Sequence, residues 1–271
     1  MSTYEWITEG LAGVWSSTEA LLEFCSEADL DRPSPCPGWS VRDVYSHLIG
    51  FELFGQGQGT PRFTDTFPPH VKNSVGEMNE AFVAARRSYS VADLRSEFLD
   101  VTGESLRRLR ALSEEKWMEV GWSPEGEVPY HRYQETRLFD SWIHLQDIRD
   151  ALLMPADDHG TGEEVVINRC ESAIPYIFGK LVRAPEAATL RIYLSGRLAR
   201  EICVRIENGR AAAQTSLGDT PSLEVTTPAA LFWRRVAGRI SAEAFLASTA
   251  VHVEGSAELA RKFAENMAVI I

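Results

Sequence analysis

Phe139-Asp140-Ser141-Trp142-Ile143-His144-Leu145-Gln146-Asp147-Ile148-Arg149 is the stretch on which the fold of the first half of the chain turns. It lies within a helix predicted from about Tyr130 to Leu153, which Pro155 stops. Asp140 and His144 are four residues apart, so both project from one helical face with β-carbons about 6 Å apart. Upstream, Val44, His47, Leu48 and Phe51 follow the i, i+3, i+4, i+7 pattern of an inward stripe. Ser40, with Asp43 after it, is a good N-cap for that helix, which runs through about Phe54. Before it, Pro33, Pro35 and Pro37 exclude a helix from the turn-rich segment Arg32 to Trp39.

Further helices complete a helical first half. Ser2 and Glu5 form a capping box for a helix to about Ala28, with Leu11, Trp15, Leu22 and Phe24 or Cys25 on its apolar side. Ser74 with Glu77 starts a helix to about Tyr89, and Ser90 with Asp93 starts another to about Leu112. Gly55-Gln56-Gly57-Gln58-Gly59 has no P-loop lysine and no strand before it, so it is a flexible connection. Residues 117–129 form a loop. After Asp157 the texture changes to a helix from Glu163 to Lys180, then to β-type alternation at Leu190–Leu194 and Ile202–Ile206. Asn208-Gly209 signals a hairpin turn. Short strands follow at Ala211–Thr215, Ser222–Thr226 and around His252. Helices are expected from Thr227-Pro228 through Trp233 and from Ser256 onward. The boundary falls near 155 to 162, giving a helical bundle over residues 1–156 and a smaller α+β domain over 157–271.

With 271 residues, 44% hydrophobic and 24% charged, the chain has the composition of a soluble globular protein. A net charge of -12 repels phosphate backbones, and the only basic clusters are short ones such as Arg107, Arg108 and Arg110, so nucleic-acid binding is not expected. No apolar run is long enough to span a bilayer, and MSTYEWITEG is not a signal peptide. Cys25, Cys36, Cys170 and Cys203 are widely spaced and form no CxxC, which reads as free thiols in a reducing cytoplasm.

A lone inward histidine such as His47 is ordinarily a satisfied core residue. Asp140 and His144 supply it with partners: two nitrogens and one carboxylate suit a divalent cation, zinc above all, at bond lengths of about 2.0 to 2.2 Å. Three protein ligands leave a position for water or substrate. The same Asp140–His144 spacing also suits an exposed ion pair. Asp147, one turn beyond His144, is placed either to orient its imidazole or to pair with Arg149. His70 and His159 lie in loops, His131 starts a helix and His252 is on a strand. Cys36, between two prolines, is a conceivable nucleophile, but it has no nearby base, and a structural role in its turn is favoured. No Gly-x-Ser-x-Gly elbow is present.

Pro35-Cys36-Pro37-Gly38-Trp39-Ser40-Val41-Arg42-Asp43-Val44 with His47-Leu48, and Phe139 through Arg149, resemble the mycothiol-dependent maleylpyruvate isomerase family of DinB-like metal-binding four-helix bundles. The segments Ala173–Lys180, Gly196–Arg205, Asn208–Ala212 and Thr227–Gly238 resemble that family's C-terminal domain, which is related to sterol-carrier folds. The resemblance implies a divalent metal, usually zinc, held by His47, Asp140 and His144, and mycothiol, the small thiol of actinobacteria, as cosubstrate. It implies Glu at the acid position of the isomerase itself, where this chain has Asp140, one methylene shorter. Arg234, Arg235 and Arg239 are then the candidates for holding carboxylates of thiol or substrate.

The expected fold is an N-terminal DinB-like four-helix bundle followed by a smaller α+β sterol-carrier-like domain. The expected function is a metal-dependent S-transferase or isomerase acting on a small electrophile with mycothiol, without nucleic-acid or membrane partners and of open oligomeric state. A metal-dependent hydrolase or lyase on the same bundle and a non-catalytic binder of an apolar ligand are the alternatives.

Overall fold

Capping chemistry sets where most helices begin. In the computed structural model, which describes residues 3–269, α1 is Glu5–Leu22, α2 Glu27–Leu30 and α3 Val41–Gly55. They are followed by α4 (Ser74–Ala84), α5 (Val91–Arg110) and the single turn α6 (Glu114–Trp117). A two-stranded hairpin, β1 (Val120–Ser123) and β2 (Gly126–Pro129), leads into α7 (Tyr130–Ala151) and α8 (Gly160–Tyr176). The chain divides into two compact units between Glu163 and Glu164.

In the first unit the four long helices pack as a ring in which α1 and α3 each touch both α5 and α7. Ile7, Leu11, Tyr45, Leu48, Phe98, Leu138 and Trp142 are buried. Two polar bonds fix the packing at depth. Trp15 Nε1 donates to Ser141 Oγ (3.1 Å) between α1 and α7, and Tyr45 Oη donates to the Thr18 carbonyl (2.8 Å) between α3 and α1. Reciprocal capping boxes at Ser40/Asp43 and Ser90/Asp93 open α3 and α5 as expected. Gly50 lets α4 approach α3, because a β-carbon there would lie 2.2 Å from Phe82 Cγ.

Several expectations are corrected. The first helix does not reach Ala28: a second capping box, Ser26/Asp29, starts α2, and Phe24 in the break is 82% exposed rather than apolar core. Ser2 lies outside the described residues, and Tyr4 precedes α1 without a side-chain cap. Asn73, whose side chain accepts from Gly76 N, caps α4 in place of Ser74, and α4 ends at Ala84. The expected loop 117–129 contains the hairpin.

In the second unit, a π-helical segment (Ile177–Leu181) follows α8, then β3 (Thr189–Ser195), β4 (Arg200–Glu207), β5 (Arg210–Gln214) and β6 (Leu223–Pro228). Next come α9 (Ala229–Val236), α10 (Ala242–Ala247), β7 (His252–Gly255) and α11 (Ala257–Asn266). The sheet order is β5-β4-β3-β6-β7, antiparallel except for the β3–β6 pair. Asn208 (φ 52°) and Gly209 (φ 71°) form the turn between β4 and β5, and Glu186 accepts from both their N–H groups. Leu190, Ile192 and Leu194 of β3 are buried, as are Phe232 and Trp233 of α9 and Phe263 of α11. Among the described residues no helix is long and apolar enough to cross a membrane, and Cys25, Cys36, Cys170 and Cys203 are free.

Candidate metal centre

The centre is assembled from α3, α7 and the proline-rich turn before α3. That turn is closed by Ser34 N donating to the Trp39 carbonyl (2.9 Å) and Val41 N to the Arg32 carbonyl (3.0 Å), with Gly38 at a φ of 80°. The turn sets Trp39 beside two imidazoles, with ring centroids 5.2 Å from His47 and 6.3 Å from His144. Phe51, one turn after His47, packs edge-on against it at 5.1 Å.

His47 Nε2 lies 3.2 Å from Asp140 Oδ2, and His144 Nε2 lies 3.4 Å from Asp140 Oδ1. The two imidazole rings are 4.7 Å apart. One donor atom from each of the three residues lies within 4.8 Å of the other two. His47 and His144 are buried, while the Asp140 side chain keeps 27% of its surface exposed. On the far side of His144, Nδ1 lies 3.0 Å from Asp147 Oδ2, and Asp147 is fully buried. A carboxylate on one ring nitrogen leaves the other as a lone-pair donor, the usual arrangement around a metal-bound histidine. Two imidazole nitrogens and one carboxylate oxygen fit a divalent cation of the zinc type.

Burial opposes charge throughout the cluster. At Asp140 it is overcome by His47, His144 and Arg137, which hold the carboxyl well below the usual carboxylate range. At His47 burial prevails over the attraction of Asp140, and the imidazole pKa falls. At His144 burial is outweighed by Asp140, Asp147 and Cys36, which keep the pKa well above the ordinary value. Without a cation, these surroundings favour the protonated form of His144 and disfavour it at His47.

Residues 11–149, just over half of the chain, match the family described as the mycothiol maleylpyruvate isomerase N-terminal domain. The chain belongs to this family. Among solved structures, the mycothiol-dependent maleylpyruvate isomerase aligns with a TM-score of 0.59 and 18% identity, over 94% of this chain and 96% of that chain. A mutant of mycothiol-dependent maleylpyruvate isomerase gives 0.56 and 17% over the same shares. Sterol Carrier Protein 2 Like 2 from Aedes aegypti aligns over 38% of this chain and 93% of its own, at a TM-score of 0.29 and 15% identity. No curated protein sequence matches the chain.

In this maleylpyruvate isomerase-family bundle, His47, Asp140 and His144 come together although His47 and Asp140 are 93 positions apart in the chain. Asp147 meets His144, while Arg149 donates through Nε to the Pro155 carbonyl (2.6 Å). Cys36 corrects its sequence reading. Its Sγ lies 3.9 Å from His144 Nδ1 and donates to Asp147 Oδ2 (3.3 Å), so two basic groups stand beside it. His70 pairs instead with Glu80, and His131 stacks on Tyr4. The structure places Arg234, Arg235 and Arg239 in the second unit, on or just after α9. Arg235 donates to the Ala264 and Ile240 carbonyls (2.8 and 2.6 Å), and Arg239 to the Ala237 carbonyl (2.8 Å). The Arg234 guanidinium lies over the Trp233 ring at 4.4 Å. Sequence reading passed over Arg137, although its i, i+3 relation to Asp140 is visible: Nη1 donates to Asp140 Oδ2 at 2.7 Å.

Proposed function

We propose that this chain is a metal-dependent enzyme that uses a small thiol, mycothiol by family relationship, to attack or isomerise a small electrophile. The observation that carries the proposal is the convergence of two imidazole nitrogens and a carboxylate on one partly exposed point. His47, Asp140 and His144 are the proposed ligands, with zinc as the first candidate metal. Bound there, a divalent cation would supply Lewis acidity, favouring the thiolate of a thiol whose ordinary pKa is about 8.5.

The protein's own groups prepare that chemistry. Asp147 fixes the tautomer and orientation of His144 through Nδ1. Trp39 and Phe51 wall the imidazoles with aromatic surface, which limits water around the reacting sulfur. Asp140, the most exposed of the three proposed ligands, is the side from which we propose that substrate approaches. Arg234 and Arg239, both in the second unit, are proposed carboxylate binders by family relationship. Arg235 is committed to backbone carbonyls, so its replacement would act on folding first.

The test is metal content and thiol dependence together. Protein purified without chelator should carry about one divalent ion per chain, and His144→Ala should lose most of it while circular dichroism stays helical. Turnover of a haloaromatic or bimane electrophile should require mycothiol. Turnover that ignores the thiol would favour a metal hydrolase, and wild-type protein with no metal affinity would leave a binding role.

A further inference from the structure

Behind Asp140 lies a buried polar chain that ordinary stability does not call for. Arg137 Nη1 donates to Asp140 Oδ2 (2.7 Å), and Arg137 Nε donates to Glu52 Oε1 (3.0 Å). Ser105 Oγ donates to the other Glu52 oxygen (2.7 Å), and Gln56 Nε2 donates to that Ser105 Oγ (3.0 Å). The guanidinium sits over the Phe51 ring, 4.8 Å from its centroid. The Arg137 and Glu52 side chains are only 4% and 7% exposed. The chain thus runs from α5 through α3 to the single carboxylate of the proposed centre on α7.

A buried ion pair is weak support for stability, because desolvation offsets most of the attraction. Its clearest effect is geometric. The Arg137 guanidinium lies over Phe51 and is braced by Glu52, which restricts how it can approach Asp140. It takes Oδ2, the oxygen also nearest His47, and leaves Oδ1 on the His144 side. An aspartate with a free carboxylate could rotate about its last bond. Here that rotation would break a charge-assisted hydrogen bond in a buried setting.

We propose that Arg137, braced by Glu52, is a positioning residue of the centre, presenting Asp140 to a divalent cation through Oδ1 with Oδ2 retained by the guanidinium. This rests on the metal reading of His47, Asp140 and His144. It adds to that reading a prediction about residues that touch no metal.

The experiment titrates chelator-stripped, full-length protein with Co(II) alone, following the visible absorption band and competition with a chelator. Four variants are compared with the wild type: Arg137→Gln, Arg137→Lys, the charge-balanced double variant Glu52→Gln/Arg137→Gln, and His144→Ala. Arg137→Gln and the double variant should bind Co(II) about tenfold or more weakly, with a changed band shape. Arg137→Lys should fall between them and the wild type, since lysine keeps the charge but not the fork. The double variant strands no buried charge, so it guards against misfolding of the single one. A merely structural role would lower thermal stability and leave affinity and band unchanged. Wild-type or tighter Co(II) binding in Arg137→Gln or the double variant, with binding lost in His144→Ala, would overturn the positioning role and spare the metal reading. Undiminished binding in His144→Ala would overturn the metal reading and this proposal with it.

Discussion

His144 is the residue on which the chemistry converges, because each of its ring nitrogens faces a different carboxylate. Asp140 and Asp147 hold its pKa well above the ordinary value against burial, while His47, 4.7 Å away, is pushed down by burial. The consequences for the metal-free protein carry opposite signs. The raised pKa of His144 contributes stability below the ordinary imidazole value, and this is lost as pH rises through the folded value. The lowered pKa of Asp140 contributes stability above the ordinary carboxylate range, and this is lost as pH falls through its folded value. A cation at Nε2 competes with a proton there, and the raised pKa of His144 favours that proton. Zinc uptake near neutral pH should therefore release protons, measured with a pH indicator in weak buffer. Uptake without proton release would contradict binding at His144 Nε2. The i, i+4 relation of Asp140 and His144 was legible in sequence, as was Asp147 one turn on. The approach of Cys36 to His144 was not, because they are 108 positions apart and only the folded turn brings the thiol in.

Helix caps were the most readable elements. Ser40/Asp43 and Ser90/Asp93 each state their helix start within four residues, which is why α3 and α5 open as expected. The β1–β2 hairpin was not readable: its strands are four residues each and largely exposed, so no buried face imposes a period of two. The break after α1 was hidden because Phe24 extends the apolar pattern, although the Ser26/Asp29 box that starts α2 was present in the sequence. Gly50 marks a contact that no periodicity reveals, since its function is the absence of a side chain. Gly50→Ala places a β-carbon within 2.2 Å of Phe82 and should cost about 1–3 kcal/mol, read from the urea midpoint at constant slope. An unchanged midpoint would mean that α4 shifts freely on α3.

Across the whole molecule, two units divide between Glu163 and Glu164, and the proposed metal ligands all belong to the first. The order of bundle followed by α+β unit was legible from the change in periodicity after Asp157, where helical stripes give way to alternation and the Asn208-Gly209 turn. The meeting of α3 with α7 was expected from the complementary ligand types of His47, Asp140 and His144 and from the resemblance of two motifs, since periodicity alone does not say which helices neighbour one another. Family membership follows from residues 11–149, a span that holds all three proposed ligands. The central claim is that these three side chains hold one divalent ion. Anomalous diffraction at the zinc edge, from crystals grown without chelator and with added zinc, tests it most directly. The expected result is one strong peak about 2.0 to 2.2 Å from Nε2 of His47, Nε2 of His144 and an Asp140 oxygen. A peak instead among Cys36 Sγ, His144 Nδ1 and Asp147, or no peak near His144 at all, would contradict it.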